Sequence, residues 1–145
     1  MNIKSILATK GANVVTITPD KTIREALAVL VKHNVGALVV VDEINKPVGI
    51  ISERDIVRLA ARNEALFGIP IREVMTTNVI TALPQDELRA VANTITEKRI
   101  RHLPIVDNQG VLIGIISIGD VVKAERNRFE GEADTLRTQI LADAP

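Results

Sequence analysis

Apolar positions along this chain alternate between a strand-like and a helix-like period, and the alternation occurs twice in the same order. Val14–Ile17 is a short apolar run closed by Pro19-Asp20. Thr22-Ile23-Arg24-Glu25 has the form of a capping box, and Ile23, Ala26, Leu27 and Leu30 then recur at helical spacing as far as His33, with Asn34 as the stop. Val35–Val41 is a β-branched run that predicts a buried strand, Asp42–Lys46 the turn of a hairpin, and Pro47–Ile51 the return strand. At Ser52 the chain turns into a helix carrying Ile56, Val57, Leu59 and Ala60. Residues 62–70 read as a polar loop ending at Pro70. Ahead of all this, Ile3–Leu7 reads as a short docking segment, matched in pattern by Ile71–Met75, and residues 9–13 as a turn.

The same order returns 65 residues later. From Asn13 to Arg58 against Asn78 to Lys123 the match needs no gap and holds 14 identities in 46 positions. The identities fall at corners: Pro19 and Pro84, Asp42 and Asp107, Gly49 and Gly114, Ser52 and Ser117, Asp55 and Asp120. A fixed period of this length marks duplicated units that bury a face against each other. The chain divides into a first repeat over 1–61, a linker over 62–70, a second repeat over 71–125 and a charged helical tail over 126–145, which Gly131 is expected to weaken.

Composition narrows the function. Lys plus Arg equals Asp plus Glu at 18 each, so the basic footprint of a nucleic-acid or anionic-membrane partner is missing. Absence of cysteine excludes disulfides and thiolate metal sites, and His33 and His102 alone argue against catalytic zinc. No apolar run reaches membrane-spanning length and the N-terminus lacks a signal-peptide core, which makes the cytoplasm the expected location. Aromatic content is 1%, so a bound planar ring would lie between aliphatic side chains and backbone. None of the usual catalytic or phosphate-loop motifs is present, and an enzyme is not expected.

The chemistry concentrates at the two Ser-x-x-Asp corners, Gly49-Ile50-Ile51-Ser52-Glu53-Arg54-Asp55 and Gly114-Ile115-Ile116-Ser117-Ile118-Gly119-Asp120. The plain reading is a helix start, with serine as N-cap and the acid near the positive end of the helix dipole. The second reading adds a ligand: free N–H groups suit a phosphate, and a carboxylate beside them can accept from a ribose diol.

With these corners, Thr16-Ile17-Thr18-Pro19 and Thr81-Ala82-Leu83-Pro84, and Arg101-His102-Leu103-Pro104-Ile105-Val106-Asp107, the chain resembles a tandem pair of CBS domains, the Bateman module. The resemblance implies an α+β fold: two βαββα repeats about a pseudo-twofold axis, here with a C-terminal helix. It implies two clefts for adenosine-containing ligands (AMP, ADP or ATP, in some members NAD(H) or S-adenosylmethionine), with no obligatory cofactor. It implies a regulatory role toward an unidentified partner protein, and a homodimer. Carried over by position, one cleft comprises Asp120, Ser117, Arg101, His102, Ala12, Asn13, Val14 and Val35. The other comprises Asp55, Ser52, Arg54, Gly36, Ala37, Thr77, Asn78, Val79 and Ile100. Arg101 and His102, with Lys123 near them, are expected to make the Asp120 cleft the better site for a mononucleotide phosphate, at about 1.5–3 kcal/mol per desolvated charge-assisted bond. The Asp55 cleft, with small Gly36 and Ala37, is expected to have room for a dinucleotide. The competing expectation is an interaction module whose clefts hold nothing.

Overall fold

A computed structural model describes residues 1–142; the last part of the predicted tail, 143–145, lies outside the described residues. The elements are α1 (Ile3–Lys10), β1 (Thr16–Ile17), α2 (Ile23–His33), β2 (Ala37–Val41), β3 (Pro47–Ser52), α3 (Glu53–Ala60), a 3-10 turn (Ile71–Glu73), α4 (Leu88–Lys98), β4 (His102–Val106), β5 (Leu112–Ser117) and α5 (Ile118–Ala142). The first repeat has the order βαββα, and the second has αββα with an isolated bridge at Ala82 in place of the first strand, followed by a helical extension.

The duplication extends to backbone detail. In the first repeat β1 runs parallel to β2, with Ile17 opposite Val40, and β2 pairs antiparallel with β3. In the second, Ala82 bridges Ile105 in parallel and β4 pairs antiparallel with β5. The register slips at Val40/Val41 and again at Ile105/Val106, the corresponding place. Left-handed backbone occurs at Asn34 and Arg99, which end α2 and α4, and at Asn45 and Gly110 in the two hairpins.

One strand differs from expectation for a chemical reason. Val39 N–H donates to Val15 O at 3.3 Å, adding a rung beside β1. The residue corresponding to Val39 is Pro104, which has no N–H to give. The predicted strand of the second repeat therefore shrinks to the single bridge at Ala82. Gly131 does not interrupt α5, which continues through it.

The lead-in segments cross over. Ile3 and Ile6 of α1 belong to the second repeat's core, with Leu88, Val91, Leu103 and Ile116. Leu66 and Ile71 belong to the first repeat's core, with Ile23, Leu30, Leu38 and Ile51. The hydrogen bonds are reciprocal. Ile69 O accepts from Ile23 N at 2.9 Å, and Met1 O accepts from Leu88 N at 2.9 Å. Arg72 N reaches Pro19 O at 3.1 Å, and Lys4 N reaches Pro84 O at 2.8 Å. Each lead-in thus satisfies a free N–H at the start of the helix in the repeat it docks on. The stretch 62–70, expected to be a polar loop, buries Leu66 and sets Phe67 under the Arg24 guanidinium, 5.0 Å from ring centre. Residues 9 and 10, expected in a turn, complete α1.

Val39, Val41 and Leu112, with Val14 and Ile115, form a third cluster that joins the two halves. Leu112 N donates to Asn45 O at 3.0 Å across the same seam.

Candidate functional site

Each strand-to-helix corner is built as its sequence predicts, and each carboxylate first serves its own helix. Ser52 N and Ser52 Oγ both donate to Asp55 Oδ2 at 2.9 Å, and Asp55 N donates back to Ser52 Oγ at 3.2 Å. At the second corner Ser117 N donates to Asp120 Oδ2 at 2.8 Å, and Asp120 N donates to Ser117 Oγ at 3.1 Å. These bonds anchor the carboxylates by one oxygen and leave Oδ1 outside the capping set. Glycine precedes each corner because the crossed lead-ins press on the returning strand. A Cβ on Gly114 would lie 2.7 Å from Leu7 Cδ2, and one on Gly49 would collide with the Met75 side chain and stand 3.1 Å from Thr76 O.

The two corners differ in what stands next to them. Lys10, at the end of α1, donates through Nζ to Asp120 Oδ2 and to Ile115 O, the latter at 2.7 Å. Burial raises the Asp120 pKa, but the bonds from Lys10 and Ser117 outweigh it and hold the carboxyl below the ordinary carboxylate value of 3.8. Among the described residues Asp55 has no ion pair of this kind.

Two cavities open at these corners. The one at Asp120, about 480 Å³, is walled by α1 and α5, chiefly Ser5, Thr9, Lys10, Lys123 and Asn127. The one at Asp55, about 400 Å³, is walled by Gly36, Ser52, Arg54, Ile100, Arg101 and His102, with Ile50, Glu53 and Thr76.

Arg101 and His102, expected beside Asp120, line the Asp55 cavity, while His102 is also paired across the strands with Ser117 of the second corner. Within the second repeat Arg101 O accepts from Ile118 N at 3.0 Å, as Gly36 O accepts from Glu53 N at 3.0 Å in the first, and both Gly36 and Arg101 line the Asp55 cavity. His102 stands between the corners. Burial lowers its pKa below 6.5, the charges of Lys10 and Arg101 push the same way, and Asp120 and Glu53 oppose them.

Of the other expected residues, Ser52, Arg54, Gly36 and Ile100 do gather around Asp55. Ala37 does not: it is buried in β2 opposite Ser52. Thr77 and Asn78 are exposed and Val79 half-buried, none on the cavity wall, which takes Thr76 from that segment. On the Asp120 side, Ala12 and Asn13 are exposed outside the cavity, Val14 is spent on the seam cluster and Val35 on the first core. Lys10 is absent from the expected site because residues 9–13 read as a turn. Its signal is the spacing Ile3, Ile6, Leu7, Lys10, one face of a helix.

Comparison with known proteins agrees with this architecture. The CBS domain family model matches residues 3–62 and 71–127. The crystal structure of the CBS-domain containing protein ATU1752 from Agrobacterium tumefaciens superposes with a TM-score of 0.81 at 40% identity, covering 86% of this chain and 99% of that one. The CBS domain pair of protein MJ0100, in complex with 5'-methylthioadenosine and S-adenosyl-L-methionine, gives 0.79 at 33% identity over 88% and 98%. The CBS domain protein PAE2072 from Pyrobaculum aerophilum, complexed with AMP, gives 0.75 at 32% identity over 83% and 89%. The chain belongs to the CBS-domain family and carries a tandem pair of the domains.

Proposed function

We propose that this chain is a regulatory module that binds an adenosine-containing ligand and passes the bound state to a partner protein through a change of shape, acting by binding rather than catalysis. The observation that carries the reading is the Asp55 cavity. It combines a carboxylate anchored by one oxygen, a helix N-terminus, and the cations of Arg54 and Arg101 in a space of about 400 Å³. Ligand pockets of small molecules start at about 300 Å³. The carboxylate suits a ribose diol, and the arginines and free N–H groups suit a phosphate. Relatives of similar shape have been crystallised with AMP and with 5'-methylthioadenosine and S-adenosyl-L-methionine.

The same geometry supports a reading in which the order of the clefts is the opposite of the one expected. Asp55, with Arg101 and His102 on its wall, is the better mononucleotide site, because the Asp120 carboxylate is already neutralised by Lys10. ADP, ATP and NAD(H) are the further candidates of the same ligand class. A homodimer, a regulated partner protein and a cytoplasmic location complete the proposal.

Calorimetric titration of AMP and S-adenosylmethionine into wild type, Asp55→Ala and Asp120→Ala tests it. Loss of one charge-assisted bond pair should weaken binding roughly ten- to a hundredfold in Asp55→Ala, with a far smaller change in Asp120→Ala. Equal losses would remove the asymmetry. No heat from either ligand, and no 260 nm absorbance released on denaturing the purified protein, would remove the sensor reading.

A further inference from the structure

Helix α5 carries an apolar stripe that its own domain does not cover. Ile118, Val122, Phe129, Leu136 and Ile140 are all exposed, Phe129 at 59% and Leu136 at 58%. At about 100° per residue these five lie within about 20° of the direction of Phe129. The inward face of the helix is a different one, made by Val121 and Ala124, which pack into the second core. Beyond Phe129 the described side chains of the helix are all exposed, so its C-terminal half stands clear of the fold. A line of exposed apolar side chains along one face of a charged helix suits a partner surface.

The stripe is symmetric about Phe129. Val122 and Leu136 stand seven residues on either side of it, and Ile118 and Ile140 eleven. A second copy of the helix laid antiparallel, with Phe129 on the twofold axis, would set Phe129 against Phe129, Val122 against Leu136, and Ile118 against Ile140. The charges select this direction. Residues 123–128 hold Lys123, Arg126 and Arg128 against the single acid Glu125, while Glu130 and Glu132 follow Phe129. Antiparallel pairing brings the basic segment of one helix to the acidic segment of the other, whereas parallel pairing would place like against like. An interface in which the same patch serves both copies is the isologous contact of a twofold dimer.

The geometry points to α5 as the self-association surface of this protein: two copies pair antiparallel through Ile118, Val122, Phe129, Leu136 and Ile140, centred on Phe129. This gives the proposed homodimer its surface and rests on that part of the reading; it is independent of nucleotide binding.

The test uses the full chain without ligand. Sedimentation should show wild type as a dimer and Phe129→Glu with self-association weakened roughly tenfold or more, at unchanged far-UV circular dichroism because the position is exposed. The absence of native cysteine allows direct mapping. Under mild oxidation Phe129→Cys should cross-link to a covalent dimer. Leu136→Cys and Val122→Cys should not cross-link alone, but should do so together in one chain. Cross-linking of Leu136→Cys alone would mean parallel pairing and overturn the proposal. A wild-type dimer that survives Phe129→Glu would place the contact elsewhere, with exposed Val31 and Val57 the next surface to examine, and would overturn α5 while sparing the homodimer. A monomeric wild type would overturn both, whatever the titrations of the clefts show.

Discussion

Lys10 closes the second corner by bonding Asp120, and no residue does the same for Asp55 among those described. Removing the ammonium should therefore change one cleft only. In Lys10→Ala the Asp120 carboxyl loses its strongest opposing partner while its burial remains, so its titration should move up toward or past the ordinary 3.8. The partly exposed ion pair contributes only about 0–1 kcal/mol, so the melting temperature should hardly move. On the proposed function, AMP stoichiometry should rise from one site per chain toward two. Carboxyl titration by NMR and calorimetry read these effects. An unmoved Asp120 titration would show that the contact does not hold in solution.

His102 should make the fold sensitive to mild acid. Burial holds its imidazole below 6.5, helped by Lys10 and Arg101. The unfolded chain then takes up the proton first as pH falls. Stability is complete above about 6.5 and is lost as pH drops through the lower folded value. The melting temperature should fall between neutrality and the carboxylate range, and the fall should be shallower in His102→Gln. Equal slopes for the two proteins would assign the sensitivity to other groups.

The two corner glycines should not be equally replaceable. At Gly114 the obstacle is the end of the Leu7 side chain, which can turn aside. At Gly49 it is Met75 together with the Thr76 carbonyl, a backbone atom held by the paired bonds between Ile50 and Thr76. Gly49→Ala should cost about 1–3 kcal/mol, the usual range for overpacking, and Gly114→Ala less. Thermal or urea unfolding of the two variants decides it, and an equal cost would mean that the Thr76 segment yields as readily as a leucine.

The linker should prove structural. Leu66 is buried in the first core. Leu66→Ala should destabilise by about 2–5 kcal/mol, although the stretch reads as a polar loop. A change below about 0.5 kcal/mol, the range of surface substitutions, would return it to that status.

The local code of this protein was legible. The capping box at Thr22 and Glu25 formed with both bonds, and Ser52 and Asp55 formed another, because each needs only a side chain within one helical turn of its own backbone. The 65-residue period was legible too, and with it the order βαββα. The loss of the second parallel strand could have been read from Pro104 alone, since a missing N–H is a property of the residue.

What decided the clefts was not local. Lead-ins that cross to the opposite repeat bring Lys10 to Asp120 over 110 positions of sequence and Thr76 to the edge of β3. The pairing of the two repeats also brings Arg101 and His102 of the second to the cavity at Asp55 of the first. Sequence periodicity determines which face of each element is buried, because burial follows from that element's own spacing. Which repeat a segment packs on depends on how two nearly identical surfaces trade partners, and only the tertiary structure settles that exchange.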